Sequence, residues 1–76
     1  MALRLTDLKK KEKARITGFV GGQGFRRNLE TMGVRAGKVI EVIALQPVGG
    51  PVVVRIDNLT ITVGRGMAQK IMVGRV

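Results

Sequence analysis

Residues 52–63 read Val-Val-Val-Arg-Ile-Asp-Asn-Leu-Thr-Ile-Thr-Val and predict a β-hairpin. On both sides of Asp57-Asn58, side chains that suit a core alternate with side chains that suit a surface. Both central residues tolerate a positive φ, so they suit a two-residue turn between two strands. On the first strand Val52, Val54 and Ile56 are predicted to face the core, and on the second strand Leu59, Ile61 and Val63 are predicted to share one face.

Three further segments around the hairpin have the pattern of strands. Residues 14–20 alternate well enough for a first strand, residues 38–46 form a strand with Glu41 on one face, and residues 71–73 close the fold. About five strands in so short a chain should curl into a small barrel, because closure removes exposed sheet edges. We therefore predict a mainly β fold with one short helix, in a single domain over residues 1–76.

The helix is predicted after the first strand. Phe25, Leu29 and Met32 recur at helical spacing, so one face of residues 25–32 is apolar. Gly33 suits the left-handed position that ends many helices, and the valine after it can fold back onto the last turn.

The segment Gly21-Gly22-Gln23-Gly24 precedes this helix and has two interpretations. Main-chain N–H groups at a helix start attract anions, which favours a phosphate-binding loop. However, no Gly-Lys-Ser/Thr follows, and no third spaced glycine completes a dinucleotide fingerprint. The sequence therefore favours a tight turn that needs positive φ.

The residue types present exclude most catalytic and metal-binding templates. The 76 residues include no cysteine and no histidine, which removes thiolate ligands, disulfides and the usual general base at neutral pH. The five carboxylates are scattered, whereas a site for a hard cation needs several converging oxygens. We therefore predict no catalytic residue, no cofactor and no metal site, and we do not expect an enzyme.

The hydropathy pattern bears on location. No apolar run reaches the ~18 residues that suggest a membrane span. Residues 1–15 also lack the apolar centre of a signal peptide. We therefore expect a cytoplasmic protein without membrane insertion.

The formal net charge of +9 points to an anionic partner, such as nucleic acid, anionic lipid or an acidic protein surface. Four lysines lie within residues 9–13, a segment that is more often a solvated loop than a specific site. Only Phe19 and Phe25 are aromatic, so the chain lacks a platform for stacking bases. Any binding of nucleic acid is predicted to be weak and non-specific, although a basic nucleic-acid-binding barrel of the ribosomal or transcription type remains the alternative.

Two sets of residues are candidates for binding a protein partner. If Glu41 faces outward, the period of two places Val39, Ile43 and Leu45 on the same outer face, with Val53 outward on the next strand. Such an apolar stripe is either covered by the terminal segments or used to bind another partner or a second copy in a homo-oligomer. The predicted helix adds two exposed arginines, which are either simply solvated or bind an acidic partner, since arginine is enriched at interfaces. The candidate residues are Arg26, Arg27, Val39, Ile43, Leu45 and Val53.

The order of short motifs resembles the family of ferrous iron transport protein A (FeoA) along nearly the whole chain. The more specific pieces are a helix ending, Met-Gly-Val-Arg-Ala-Gly at residues 32–37, followed by Pro-Val-Gly-Gly-Pro at residues 47–51. Supporting pieces are Leu-Thr-Asp-Leu at residues 5–8, Ile-Glu-Val at residues 40–42, and Val-Gly-Arg at residues 63–65.

The resemblance implies an SH3-like barrel in the cytoplasm that binds and modulates a GTP-driven ferrous iron permease (FeoB). The same barrel forms the C-terminal domain of iron-dependent repressors, so a stand-alone relative of that domain is a further alternative. Without imidazole or thiolate ligands, handling iron would mean regulating a transporter rather than holding the metal.

Overall fold

One antiparallel sheet of six strands organises the chain in the computed structural model, which describes residues 3–46 and 48–76. A 3₁₀ turn (Leu5–Asp7) follows the first strand, α1 (Gln23–Thr31) joins the second strand to the third, and α2 (Arg65–Ala68) joins the fifth to the sixth. The strands are β1 (Leu3–Arg4), β2 (Lys13–Phe19), β3 (Val39–Leu45), β4 (Val52–Ile56), β5 (Leu59–Val63) and β6 (Ile71–Arg75). Their order across the sheet is β1-β6-β2-β3-β4-β5.

The five predicted strands are all present, and β1 is an addition. It pairs Leu3 with Val73 and Arg4 with Met72, and so extends the sheet beyond β6. Two residues are too few to show a period of two, so the sequence pattern could not indicate this strand.

The core is aliphatic, and within the described residues it contains no buried polar or charged side chain. Each strand from β2 to β6 contributes one face to a single buried cluster, so the sheet must curl around it as in an SH3-like barrel. Each fully buried Val, Leu or Ile side chain stabilises the fold by ~1.5–3 kcal/mol. The largest fully buried side chains are Leu5, Ile16, Leu29, Ile40, Ile56, Ile71, Val34, Val42, Val52, Val54 and Val63.

The β4–β5 hairpin confirms the turn predicted at Asp57-Asn58. Ile56 pairs directly with Leu59, so the loop has two residues. Asp57 alone takes a positive φ, of 56°. Leu59 shares the predicted face with Ile61 and Val63, but it lies at the end of the strand and 58% of its surface is exposed.

The helix α1 ends as its sequence predicts. Gly33 has a φ of 96°, its N–H donates to the carbonyl of Glu30 at 3.0 Å, and the N–H of Val34 donates to the carbonyl of Leu29 at 2.9 Å. These two bonds are those of a Schellman motif. The helix begins two residues earlier than predicted, at Gln23, and Met32 is its C-cap and 38% exposed rather than part of the packed face.

Candidate functional site

The outer sheet face, which is the face of β2–β5 turned away from the core, carries a row of charged and polar side chains. Register places Lys13 opposite Glu41, Glu41 opposite Arg55, and Arg55 opposite Thr60. Opposite charges at directly paired positions attract, so Glu41 lies between two basic neighbours. This row borders a shallow groove of about 350 Å³.

Apolar side chains flank the polar row on both sides. Val39 lines the groove and is 39% exposed. Ile43 and Val53 are half-buried and do not belong to the set of side chains packed against the core. These three predicted partner residues therefore share the outer sheet face.

The prediction that Leu45 faces outward is wrong, because β3 contains a bulge. Val42 pairs with Val54, but Ala44 pairs with Val53, so Ile43 is one extra residue on β3. An extra residue shifts the side-chain alternation by one position. Leu45 consequently pairs with the buried Val52 and packs against the core rather than facing outward.

The two predicted arginines lie on α1, beside a second groove that Gln23 and Glu30 also line. Arg26 Nε lies 3.3 Å from Glu30 Oε2, and its guanidinium lies 5.9 Å from the centre of the Phe19 ring. Arg27 is exposed, and no such contact engages its side chain within residues 3–46 and 48–76. The structure does not bring Arg26 and Arg27 into the groove of the outer sheet face.

Both phenylalanines are half-buried against the core. Arg26 covers the ring of Phe19, and the ammonium of Lys70 lies 5.3 Å from the centre of the Phe25 ring. Because cations cover these rings, they are not free platforms on which bases could stack. Helical spacing could not indicate the Lys70 contact, since Lys70 lies far along the chain.

The lysine loop, residues 9–13, is built around Glu12. Its carboxylate accepts a hydrogen bond from the Lys9 N–H at 2.9 Å and pairs with Arg75 Nη1 at 2.8 Å. The main-chain bond from Lys9, with further help from Arg75, lowers the pKa of Glu12 below its usual value. The prediction of exposed lysines is confirmed, but the loop that carries them has a defined hydrogen-bonded frame.

Arg65 joins the two ends of the loop between β3 and β4. Its Nε donates to the carbonyl of Gly50 at 3.1 Å, and its Nη2 donates to the carbonyl of Gln46 at 3.2 Å. Between these ends, Val48 is 89% exposed. The planar guanidinium fork suits two carbonyls at once, so one side chain sets the loop closure. No motif in the sequence indicates this contact.

In the part of the chain that the structure describes, no three His, Cys, Asp or Glu residues come together as metal ligands. Among those same residues, no helix has the length and apolarity needed to cross a bilayer.

Comparison with known proteins gives a consistent result. The family model described as the FeoA domain matches residues 3–75. A protein of Methanocaldococcus jannaschii named "Putative Fe(2+) transport protein A" is 35% identical over 69 residues, which are 91% of this chain and 82% of the relative.

Solved structures show the same fold. A crystal structure of an iron uptake regulatory protein (FeoA) superposes with a TM-score of 0.90 at 26% identity, over 100% of both chains. The solution structure of FeoA from Chlorobium tepidum gives 0.87 at 27% identity, over 97% of this chain and 70% of that one. A manganese-dependent transcriptional repressor gives 0.88 at 21% identity, where this chain matches only 42% of its length, so that likeness concerns the fold alone.

Proposed function

This chain belongs to the FeoA domain family, and on that premise we propose that it is a non-enzymatic, cytoplasmic interaction module of ferrous iron transport. Its partner is the cytoplasmic part of a GTP-driven ferrous iron permease, and its action is to modulate that permease by direct contact. The relative named for Fe(2+) transport supports the process.

The observation that carries the contact role is the outer sheet face. Val39, Ile43 and Val53 present apolar surface there beside a row of alternating charges. Interfaces of this kind combine a small apolar centre with a polar rim. The charged row would set the orientation of the partner, and the three aliphatic side chains would supply the buried area.

The arginines of α1 contribute unequally. Arg26 is already paired with Glu30 and held over Phe19, so a partner carboxylate would have to displace an existing contact. Arg27 is exposed, and its side chain can reach an acidic partner at no such cost. We therefore assign Arg27 a larger part in attracting the partner, through the rate of association.

The test is co-purification of the tagged chain with the permease from membranes, followed by GTP hydrolysis by the pair. Val39→Thr with Val53→Thr replaces apolar surface by isosteric hydroxyl-bearing side chains that still favour strands. We expect this variant to lose the permease while keeping its fold. The matched control is Val48→Thr, the same exchange at an exposed valine away from this face.

Two outcomes would contradict the proposal. Retention of the permease by Val39→Thr with Val53→Thr would remove the outer sheet face from the contact. Co-purification of ribosomal particles or RNA in place of the permease would instead favour the nucleic-acid-binding alternative.

A further inference from the structure

Within the described residues 3–46 and 48–76, strand β5 lies at one end of the sheet and pairs with β4 alone. The direction of its main-chain groups follows from Val42, whose N–H and carbonyl both bond to the β2 side, at Glu12 and Lys11. The direction of the main-chain N–H and carbonyl groups alternates with each residue. Those of Glu41 therefore point toward β4, and those of its partner Arg55 point back toward β3. Val54 and Ile56 therefore bond to β5.

Their partners on β5 are Ile61 and Leu59, so the main-chain N–H and carbonyl groups of these two residues point toward β4. Thr60 and Thr62 consequently direct their N–H and carbonyl groups to the open edge. Outside the hairpin itself, no main-chain hydrogen bond joins either threonine to residues 3–46 or 48–76. The edge thus offers two donors and two acceptors in alternating order.

The composition of this edge is unusual for a surface strand. Residues 59–63 contain no charged residue and no proline, and most are β-branched. Proteins normally protect an open edge with lysine, proline or a bulge, because a bare edge pairs with other strands. Leu59, Thr60 and Thr62 are exposed, so a strand can approach this edge.

We propose that the β5 edge is an interface for a second copy of this chain, paired antiparallel about a two-fold axis through Ile61. In this register Thr60 faces the second copy's Thr62, and Thr62 faces the second copy's Thr60. Each of these is a hydrogen-bonded pair, so the four open groups on each copy are satisfied together. The proposal stands on the geometry of the edge and is independent of the proposed function.

A second copy fits better than an unrelated strand because the edge is complementary to itself. The two-fold register places Leu59, which is 58% exposed, opposite the second copy's Val63, a residue buried in its own core, so the pairing would cover Leu59. A symmetric interface uses this contact twice.

Two variants that differ only at residue 62 test the register. Thr60→Glu with Thr62→Lys places opposite charges across both cross-strand pairs, and Thr60→Glu with Thr62→Glu places like charges there. Opposite charges directly across a strand pair stabilise it, and like charges destabilise it. Relative to wild type, we therefore expect the dimer dissociation constant to be about threefold or more lower for the first variant and higher for the second. Analytical ultracentrifugation from micromolar to millimolar chain measures both.

Net charge alone predicts the opposite ranking. The Glu-Glu variant carries +7, since two uncharged residues of a +9 chain become acidic, whereas the Glu-Lys variant stays at +9. General self-repulsion would therefore make the Glu-Glu variant associate more strongly. That ranking, or a monomer at every concentration for the wild type and the Glu-Lys variant, would overturn the proposal.

Disulfide trapping gives a second measurement, because the chain has no cysteine of its own. Ile61 meets the second copy's Ile61 in a non-hydrogen-bonded pair with Cα atoms about 4.5 Å apart, so Ile61→Cys should cross-link on mild oxidation. Thr62→Cys should not, since that residue meets its own copy only diagonally, at roughly 7–8 Å. Equal cross-linking of the two variants, or none by Ile61→Cys, would contradict the two-fold register.

A further variant distinguishes a second copy of the chain from the permease as the partner at the β5 edge. Thr60→Pro removes an edge-facing N–H without removing a donor to β4, so it should weaken dimerisation while the hairpin stays intact. If the wild type never dimerises and Thr60→Pro instead loses binding to the permease, the edge pairs with a strand of the permease and the second-copy proposal fails.

Discussion

The N–H of Val34 donates to the carbonyl of Leu29 at 2.9 Å, and both side chains lie in the buried core. The bond spans Gly33, whose positive φ turns the chain back onto the last turn of α1. One glycine therefore lets the helix end and Val34 enter the core. This local arrangement leads to the first prediction.

Gly33→Val should destabilise the fold by about 1 kcal/mol or more, because a β-branched residue is strained at positive φ. A new Cβ would meet only Leu59 Cδ1, at an ordinary 3.8 Å, so the cost is in the backbone rather than in a clash. Gly33→Asn is the control and should cost less, since Asn tolerates this region better. Chemical denaturation measures both, and equal midpoints for wild type and Gly33→Val would count against the cap.

Arg65→Lys should loosen the loop between β3 and β4. Lysine cannot donate to the carbonyls of Gln46 and Gly50 with a planar fork, so we expect a loss of about 1 kcal/mol in unfolding free energy and faster hydrogen exchange near the loop. Arg55→Lys, at an exposed arginine of the outer sheet face, is the matched control. Similar exchange in both variants would show that Arg65 does not hold the loop closed.

Glu12 should make stability depend on pH in the acidic range. Its pKa is lowered in the folded state, first by the bond from the Lys9 N–H and then by Arg75. The stabilisation is therefore present above the ordinary glutamate pKa and is lost as the pH falls through the lowered value. Glu12→Gln should be less stable than wild type at neutral pH, and the difference should shrink in acid.

Unfolding curves at several pH values measure this difference. Glu30→Gln is the comparison, because the Glu30 carboxylate pairs with Arg26 on the same exposed helix face. If the difference in unfolding free energy between wild type and Glu12→Gln stays the same in acid, the stabilisation does not depend on the ionised carboxylate of Glu12.

Nucleic acid should bind weakly and with a steep dependence on salt. Lys9, Lys10 and Lys11 are exposed, and cations cover both aromatic rings. Phosphate contacts of this kind release counterions, so affinity should fall by orders of magnitude from low to near-physiological salt if about six or more phosphates are engaged. Fluorescence anisotropy with labelled oligonucleotides tests this, and sequence-selective binding above about 300 mM salt would contradict it.

Ferrous ion should not bind tightly to the isolated chain. The sequence has no cysteine or histidine, and its five carboxylates are spread along the chain. Anaerobic calorimetry with ferrous ion should show no stoichiometric site, because oxygen ligands must converge to hold a hard cation. A one-to-one site with micromolar affinity would be the contrary result.

Local patterns were enough to predict the features that depend on near neighbours. The turn at Asp57-Asn58 and the helix end at Gly33 are each specified by residues a few positions away along the chain. Prediction failed where a distant partner decides the outcome. The bond from Arg75 to Glu12 spans 63 positions, and the contact from Arg65 to Gln46 spans 19, so no local pattern reveals them.

The candidate site shows the same division. Alternation from Glu41 correctly placed Val39 outward, because that part of β3 is regular. It failed for Leu45, because the extra residue at Ile43 is defined by pairing with β4 rather than by β3 alone.

The bulge at Ile43 lets β3 hold one residue more than β4 while Val42 and Leu45, on either side of it, both face the core. Deleting Ile43 would leave Ala44 opposite Val53 and Leu45 opposite Val52, so strict alternation would return with both orientations unchanged. The deletion would instead remove one apolar side chain from the outer sheet face, together with the local bend that a bulge gives a strand. Pairing with β4, more than the number of residues in β3, thus sets which side chains line this end of the barrel.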